Sequence, residues 1–205
     1  MVRKMKVSVL CETIQATQTI SFCFDQSDVP QDKRVDFKLQ SWSDLKRLNP
    51  TTRYQLLFDC DYLILSRWYN PNDFLKIISE ARKNEKKIFL HLDDFLFDVP
   101  KSIGIEKWLH YSSTNMLDAL YSTAKLSDGI IASTSRLANE IKNILPQIPV
   151  LTSPYYKHFD LNQCTASIAS ERVYPVIGYM GTQSHADDLE ILTEDIDKLM
   201  HRNPL

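Results

Sequence analysis

The segment His91-Leu-Asp93-Asp94-Phe-Leu-Phe97 sets an imidazole and two adjacent carboxylates directly after the apolar run Lys87–Leu92. Two neighbouring carboxylates repel each other, an arrangement that suits one of them to general-base work. The pair can also hold a cation or accept hydrogen bonds from sugar hydroxyls. The structural use of the same residues is a loop in which Asp caps and turns the chain while Phe95 and Phe97 plug the core.

A second segment, Val176-Ile-Gly178-Tyr-Met-Gly181-Thr182-Gln183-Ser184-His185, halts a short apolar run at a glycine loop and passes at once into a helical pattern. Such loops present backbone N–H groups beside the positive end of a helix dipole, which suits a phosphate. Asp187 and Asp188 fall in the first turn of that helix, where they serve the dipole themselves and oppose an anion held too close. A third segment, Gly129-Ile-Ile-Ala-Ser133-Thr134, ends an apolar run in two hydroxyl residues that suit an N-cap. Ser66-Arg67-Trp68 follows another run, so Arg67 reaches either an anionic ligand or the face of Trp68. Trp108, His110 and Tyr111 offer aromatic surface for an acceptor, or simply cover the core.

These residues need elements that bring them to one place. Apolar runs of strand length alternate with helical patterns, which argues for βαβ units and a parallel sheet. The expected strands are Lys6–Cys11, Val35–Leu39, Tyr62–Ser66, Lys87–Leu92, Gly129–Ser133 and Pro149–Thr152. Helices are expected from Asn70-Pro71 with the stripe Phe74, Ile77, Ile78 and Ala81, from Ser113 to Ser127, and after Ser133-Thr134 with the stripe Leu137, Ile141 and Ile144. Residues 25–34 read as a loop. The fold class is therefore α/β, a Rossmann-like parallel sheet with helices on both faces, over residues 1–154. A linker follows over 155–174, and 175–205 opens a second unit with the strand Val176–Tyr179 and the helix Asp187–Met200. In an open parallel sheet, ligands bind beyond the carboxyl ends of the strands. That rule gathers Arg67, His91, Asp93, Asp94, Ser133 and Thr134 at one cleft.

The composition narrows the field. A net charge of −2 over 205 residues gives no electrostatic case for nucleic acid. The apolar stretch after the basic N-terminus is too short for a signal peptide, and no run has the length of a membrane helix. The four cysteines, Cys11, Cys23, Cys60 and Cys164, have neither CxxC spacing nor histidine partners. They read as reduced thiols of a cytoplasmic protein. The four glycines stand at 104, 129, 178 and 181, so residues 1–100 carry neither a dinucleotide-binding nor a Walker loop.

Taken together, Asp61–Arg67, Lys86–Phe97, Ser127–Thr134 and Val176–His185 resemble bacterial glycosyltransferases of the two-Rossmann-domain, GT-B type, which build cell-surface polysaccharides. The likeness covers most of residues 55–205. It implies an acceptor-side N-terminal domain and a C-terminal domain for a nucleotide-sugar donor, with reaction in the cleft between them and no cofactor or bound metal. By resemblance, Gly178, Gly181, Thr182, Gln183, Ser184 and His185 face the donor diphosphate, and Asp93 and Asp94 lie near the acceptor hydroxyl or the transferred sugar. Arg67, His91, Ser133 and Thr134 line the cleft. The acceptor is a glycan or a lipid-linked glycan, compatible with a place at the inner face of the membrane. The family's donor domain runs on for further βα units, so the chain is expected to be a shortened, incomplete transferase whose last unit promotes self-association. The alternative is a non-catalytic flavodoxin-like binding or scaffold module. A receiver domain fits less well, because it sets its acidic pair after the first strand and this chain has only Glu12 there.

Overall fold

The computed structural model describes residues 3–22, 35–153 and 186–202. Six parallel strands form one sheet: β1 (Met5–Cys11), β2 (Val35–Ser41), β3 (Tyr62–Ser66), β4 (Lys87–Leu92), β5 (Gly129–Ala132) and β6 (Val150–Thr152). Their order across the sheet is β2-β1-β3-β4-β5-β6. This is the expected Rossmann-like α/β fold, with each strand within two residues of its expected ends. The strands are mostly apolar on both sides, as parallel strands with helical connections must be. Val9, Leu10, Leu63, Leu65, Ile88, Leu90, Leu92 and Ile130 are all fully buried. Gly129 opens β5 where a Cβ would press against the Pro149 carbonyl oxygen at 3.1 Å.

The helices are α1 (Ala16–Phe22), α2 (Trp42–Leu45), α3 (Pro50–Phe58), α4 (Phe74–Lys83), α5 (Ile105–Tyr111), α6 (Thr114–Leu126), α7 (Ser135–Ile144) and α8 (Ala186–Arg202). Strand order reverses after β2, the one step taken leftward from β1. Right-handed crossovers therefore put α1 on one face of the sheet and α3, α4, α6 and α7 on the other. On the first face Phe22 packs against Val7, Val9 and Ile64. On the second, α4 buries Phe74, Ile77, Ile78 and Ala81, the expected stripe.

Two expectations are corrected. Asn70 does not cap α4. Its side chain accepts from the Asn72 N–H at 3.0 Å, which folds residues 70–73 into a turn, and the helix begins at Phe74. Asp73 stands in the cap position without capping, because its carboxylate accepts the Trp42 indole N–H at 2.9 Å. In α7, Leu137 and Ile141 are buried as expected, but Ile144 is 38% exposed and the next residue, Leu145, turns inward instead. Thr134 caps α7 by accepting from the Leu137 N–H at 3.1 Å.

The chain separates into two compact units, Met1–Asp98 with Ser112–His158, and Val99–Tyr111 with Phe159–Leu205. The sheet and the cluster described below belong to the first. Among the described residues the second unit contains a 3-10 turn at Lys101–Ile103, α5 and α8. The Lys101 ammonium of the 3-10 turn lies 4.5 Å from the Trp108 ring centroid in α5, and His110 meets Tyr111 edge-on. The helix expected at Asp187–Met200 is present as α8. The loop 25–34, the linker 155–174, the strand Val176–Tyr179 and the donor residues Gly178, Gly181, Thr182, Gln183, Ser184 and His185 lie outside the described residues, as do Cys23 and Cys164.

Candidate functional site

The sheet order reverses between β1 and β3, which makes their carboxyl ends the expected ligand crevice. Five segments deliver polar side chains to this edge. β1 runs into Glu12, β3 ends at Ser66 and Arg67, β4 ends before Asp93 and Asp94, β5 ends before Ser133, and α1 brings Thr17 and Gln18.

Glu12 is committed locally. It accepts the Trp68 indole N–H at 3.2 Å, and the Lys46 ammonium stands 3.6 Å away. Trp68 is itself buried and meets Trp42 edge-on at 5.4 Å. Of the two roles open to Arg67 from sequence, the anionic one is visible in its contacts. Its Nη1 donates to Asp93 Oδ2 at 3.3 Å and lies 3.1 Å from Asp94 Oδ2. One guanidinium nitrogen thus stands between the two carboxylates and offsets their repulsion. The backbone at Arg67 is left-handed, with φ +48°. For a long, non-glycine side chain this is unfavourable, and such strain concentrates at functional sites. The Arg67 N–H donates to the His91 carbonyl at 2.9 Å, which fixes the bend.

Asp93 is the most constrained of the acids. Its side chain is 8% exposed, against 62% for Asp94. Ser133 Oγ donates to its carbonyl oxygen at 3.2 Å, and Thr17 Oγ1 donates to Oδ2 at 3.1 Å. Oδ2 thus receives Thr17 and Arg67, whereas Oδ1 is buried with no hydrogen-bond partner among the described residues. A buried carboxylate oxygen without a donor costs about 1–3 kcal/mol or more.

Beneath Asp93 lies a second polar layer. His91 and Ser66 are neighbours on β4 and β3. The Ser66 hydroxyl stands 3.1 Å from His91 Nδ1, and Gln18 Nε2 donates to Ser66 Oγ at 3.4 Å. An amide nitrogen only donates, so Ser66 accepts from Gln18, and its hydroxyl also shares a hydrogen bond with His91 Nδ1. Burial holds the imidazole down to about 4, with Arg67 pushing the same way and Asp93 opposing it. His91 is therefore neutral near pH 7, which the sequence did not disclose.

The expected cleft residues divide accordingly. Arg67, His91, Asp93, Asp94 and Ser133 do come together. Thr134 is an N-cap and contributes no cleft group. Cys11 and Cys60 are buried free thiols, and burial raises the Cys11 thiol to about 11, so they are inert core residues. Phe97 plugs the core under the loop, 4.9 Å from the Tyr121 ring. Thr17, Gln18 and Ser66 were missed. The available signal was Gln18, whose Oε1 accepts from the Gln15 N–H at 3.1 Å in half of a capping box and so marks the start of α1. Among the described residues no group of three His, Cys, Asp or Glu is placed to hold a metal ion, and no helix is long and apolar enough to cross a membrane.

Compared with known proteins, the chain matches no family model and no curated sequence.

Proposed function

We propose that the larger unit is the acceptor-holding part of a glycosyltransferase, with Asp93 as the base that receives the acceptor hydroxyl. The observation that carries this is the asymmetry of Asp93. One oxygen is held by Thr17 and Arg67, and the other is buried with no donor. A hydroxyl is the donor that suits such an oxygen, since its hydrogen bond becomes a proton transfer when the hydroxyl oxygen attacks an electrophile. In sugar transfer that oxygen bonds to the anomeric carbon of a nucleotide sugar, the bond to the diphosphate breaks, and its electron pair leaves with the phosphate. The hydroxyl proton passes to Asp93 Oδ1. Arg67 holds the carboxylate in place from the opposite oxygen, and the Ser133 hydroxyl fixes its backbone.

The test is to incubate the protein, expressed from its complete gene, with uridine, guanosine, adenosine and thymidine diphosphate sugars and with free or lipid-linked glycan acceptors. Release of nucleoside diphosphate that depends on acceptor, and that falls about 10²-fold or more in Asp93→Asn, is the expected result. Full turnover in a folded Asp93→Asn protein removes the assignment of the base. One observation favours a second reading, that of a binding module without turnover: Arg67 already contacts both carboxylates. That reading predicts acceptor binding, seen by calorimetry, with no nucleoside diphosphate released from any donor.

A further inference from the structure

Asp93 owes its asymmetry to Thr17, and Thr17 stands on a helix that cannot place itself. α1 has seven residues, fewer than a helix needs to hold its shape unaided. Beside the packing of Phe22 on Val7, Val9 and Ile64, two of its side chains tie it to the polar cluster. Gln18, 5% exposed, reaches Ser66, and the Phe22 ring meets the His91 ring edge-on at 4.8 Å. Both anchors converge on His91, one by direct contact and the other through the Ser66 hydroxyl.

We propose that His91 is a positioning residue for Asp93: it seats α1 on the sheet so that Thr17 reaches Oδ2 and Oδ1 is left to the acceptor. The inference rests on the reading of Asp93 as the base, but its geometry is separable from that reading. His91 touches no reacting atom. It is 2% exposed, lies under the Asp93 loop, and shares a hydrogen bond at Nδ1 with Ser66.

The experiment compares wild type with His91→Phe, His91→Asn, Thr17→Ala and the double variant His91→Phe/Thr17→Ala, each carrying carboxyl-labelled aspartate. The Asp93 carbon signal is assigned by its loss in Asp93→Asn. If His91 acts through α1, His91→Phe moves the Asp93 signal in the same direction as Thr17→Ala, and the double variant adds nothing further. In the transfer assay His91→Phe lowers kcat about tenfold or more at nearly constant KM, as a misplaced base does. His91→Asn, whose amide can still hydrogen-bond Ser66, recovers part of that loss and serves as the informative variant if His91→Phe fails to fold. An unmoved Asp93 signal in either folded variant overturns the proposal, as do fully additive effects in the double variant. A moved signal that couples to Thr17 in a protein without transferase activity supports the positioning role and counts against the proposed reaction alone.

Discussion

The two edges of the sheet carry similar residues to opposite ends. At the amino edge Asp61 accepts the Lys6 N–H at 2.9 Å, and Asp128 accepts the Ile88 N–H at 2.8 Å. Arg3 covers the other oxygen of Asp61, and Arg82 and Lys87 cover Asp128. All four oxygens have partners. Burial works against the Asp128 carboxylate, but the Ile88 N–H and the Arg82 guanidinium outweigh it and hold the group below its ordinary 3.8. At the carboxyl edge one oxygen of Asp93 has no partner among the described residues, a histidine is buried neutral, and Arg67 bends its backbone into the left-handed region. At the amino edge the charges are satisfied, and at the carboxyl edge deficits that cost stability gather in one cluster, the pattern expected of a site with work to do.

The largest expected effect breaks the comparison at its centre. Asp93→Asn keeps the shape of the side chain and removes the proposed base, so turnover is expected to fall about 10²–10⁴-fold. Asp128→Asn at the other edge leaves turnover within a factor of two or so of wild type after correction for folded fraction. Steady-state nucleoside diphosphate release on both variants measures this. Equal losses at the two edges would mean that the carboxyl-edge cluster is as structural as the amino-edge one.

Acid separates the edges next. The unfolded chain takes up a proton on His91 near its ordinary 6.5, whereas the folded state resists until about 4. Between these values the unfolded state binds more protons, so stability falls as pH drops through that window and levels off below it. The shift corresponds to a loss on the order of 3 kcal/mol. Asp128 acts in the same sense at lower pH: its contribution is present above 3.8 and is lost as pH falls below that value. Urea unfolding at stepped pH checks both, with His91→Phe flattening the slope between 6.5 and 4 relative to wild type. The same slope in both proteins would refute the buried neutral imidazole.

At fixed neutral pH, Asp128→Ala removes the acceptor for the Ile88 N–H and leaves Arg82 and Lys87 facing one another without an acid. Loss of a charge-assisted bond to a partly buried N–H costs about 1–3 kcal/mol. The corresponding loss for exposed Lys83→Ala, whose partner Glu80 lies one turn away on the same helix, is at most about 0.5 kcal/mol. Chemical unfolding midpoints resolve the two. A cost for Asp128→Ala no larger than for Lys83→Ala would erase the claim that the amino edge is a structural brace.

Much of this contrast was legible in the sequence, and its limits are physical. The strands could be read because buried parallel strands leave continuous apolar runs, and the carboxyl-edge rule then grouped Arg67, His91, Asp93, Asp94 and Ser133. What periodicity does not carry is pairing. Asp93 and Asp94 are adjacent in the chain and differ more than sevenfold in exposure, because one points under α1 and the other toward solvent. α1 itself has too few turns to generate a pattern, so Thr17 stayed hidden although it lies 76 residues from its partner Asp93. Asn70-Pro71 was misread for a related reason. Its helix-start signal is real, but the Asn side chain spends itself on a local turn, and Trp42 from a distant segment takes the next candidate cap, Asp73.

The smallest effect sharpens the comparison most, because it sets two like conformations side by side. Among the described residues Glu85 and Arg67 are the non-glycine positions with positive φ, at +56° and +48°. Glu85 has an ordinary cause. The Glu85 N–H returns to the Arg82 carbonyl and the Lys86 N–H to the Ala81 carbonyl, both at 2.9 Å, which is the bond pair that closes a helix through a left-handed residue. Glycine is the usual occupant there, so Glu85→Gly relieves the backbone at no functional cost and gains a few tenths to about 1 kcal/mol. Arg67 ends a strand rather than a helix, and no such closure requires its bend. Arg67→Gly relieves the same torsion but removes the cation between Asp93 and Asp94, so stability does not rise and turnover falls with it. Thermal melts of the two glycine variants, read beside their activities, test this. A stabilised and fully active Arg67→Gly would show that the left-handed arginine is incidental, and that the carboxyl edge differs from the amino edge only at Asp93.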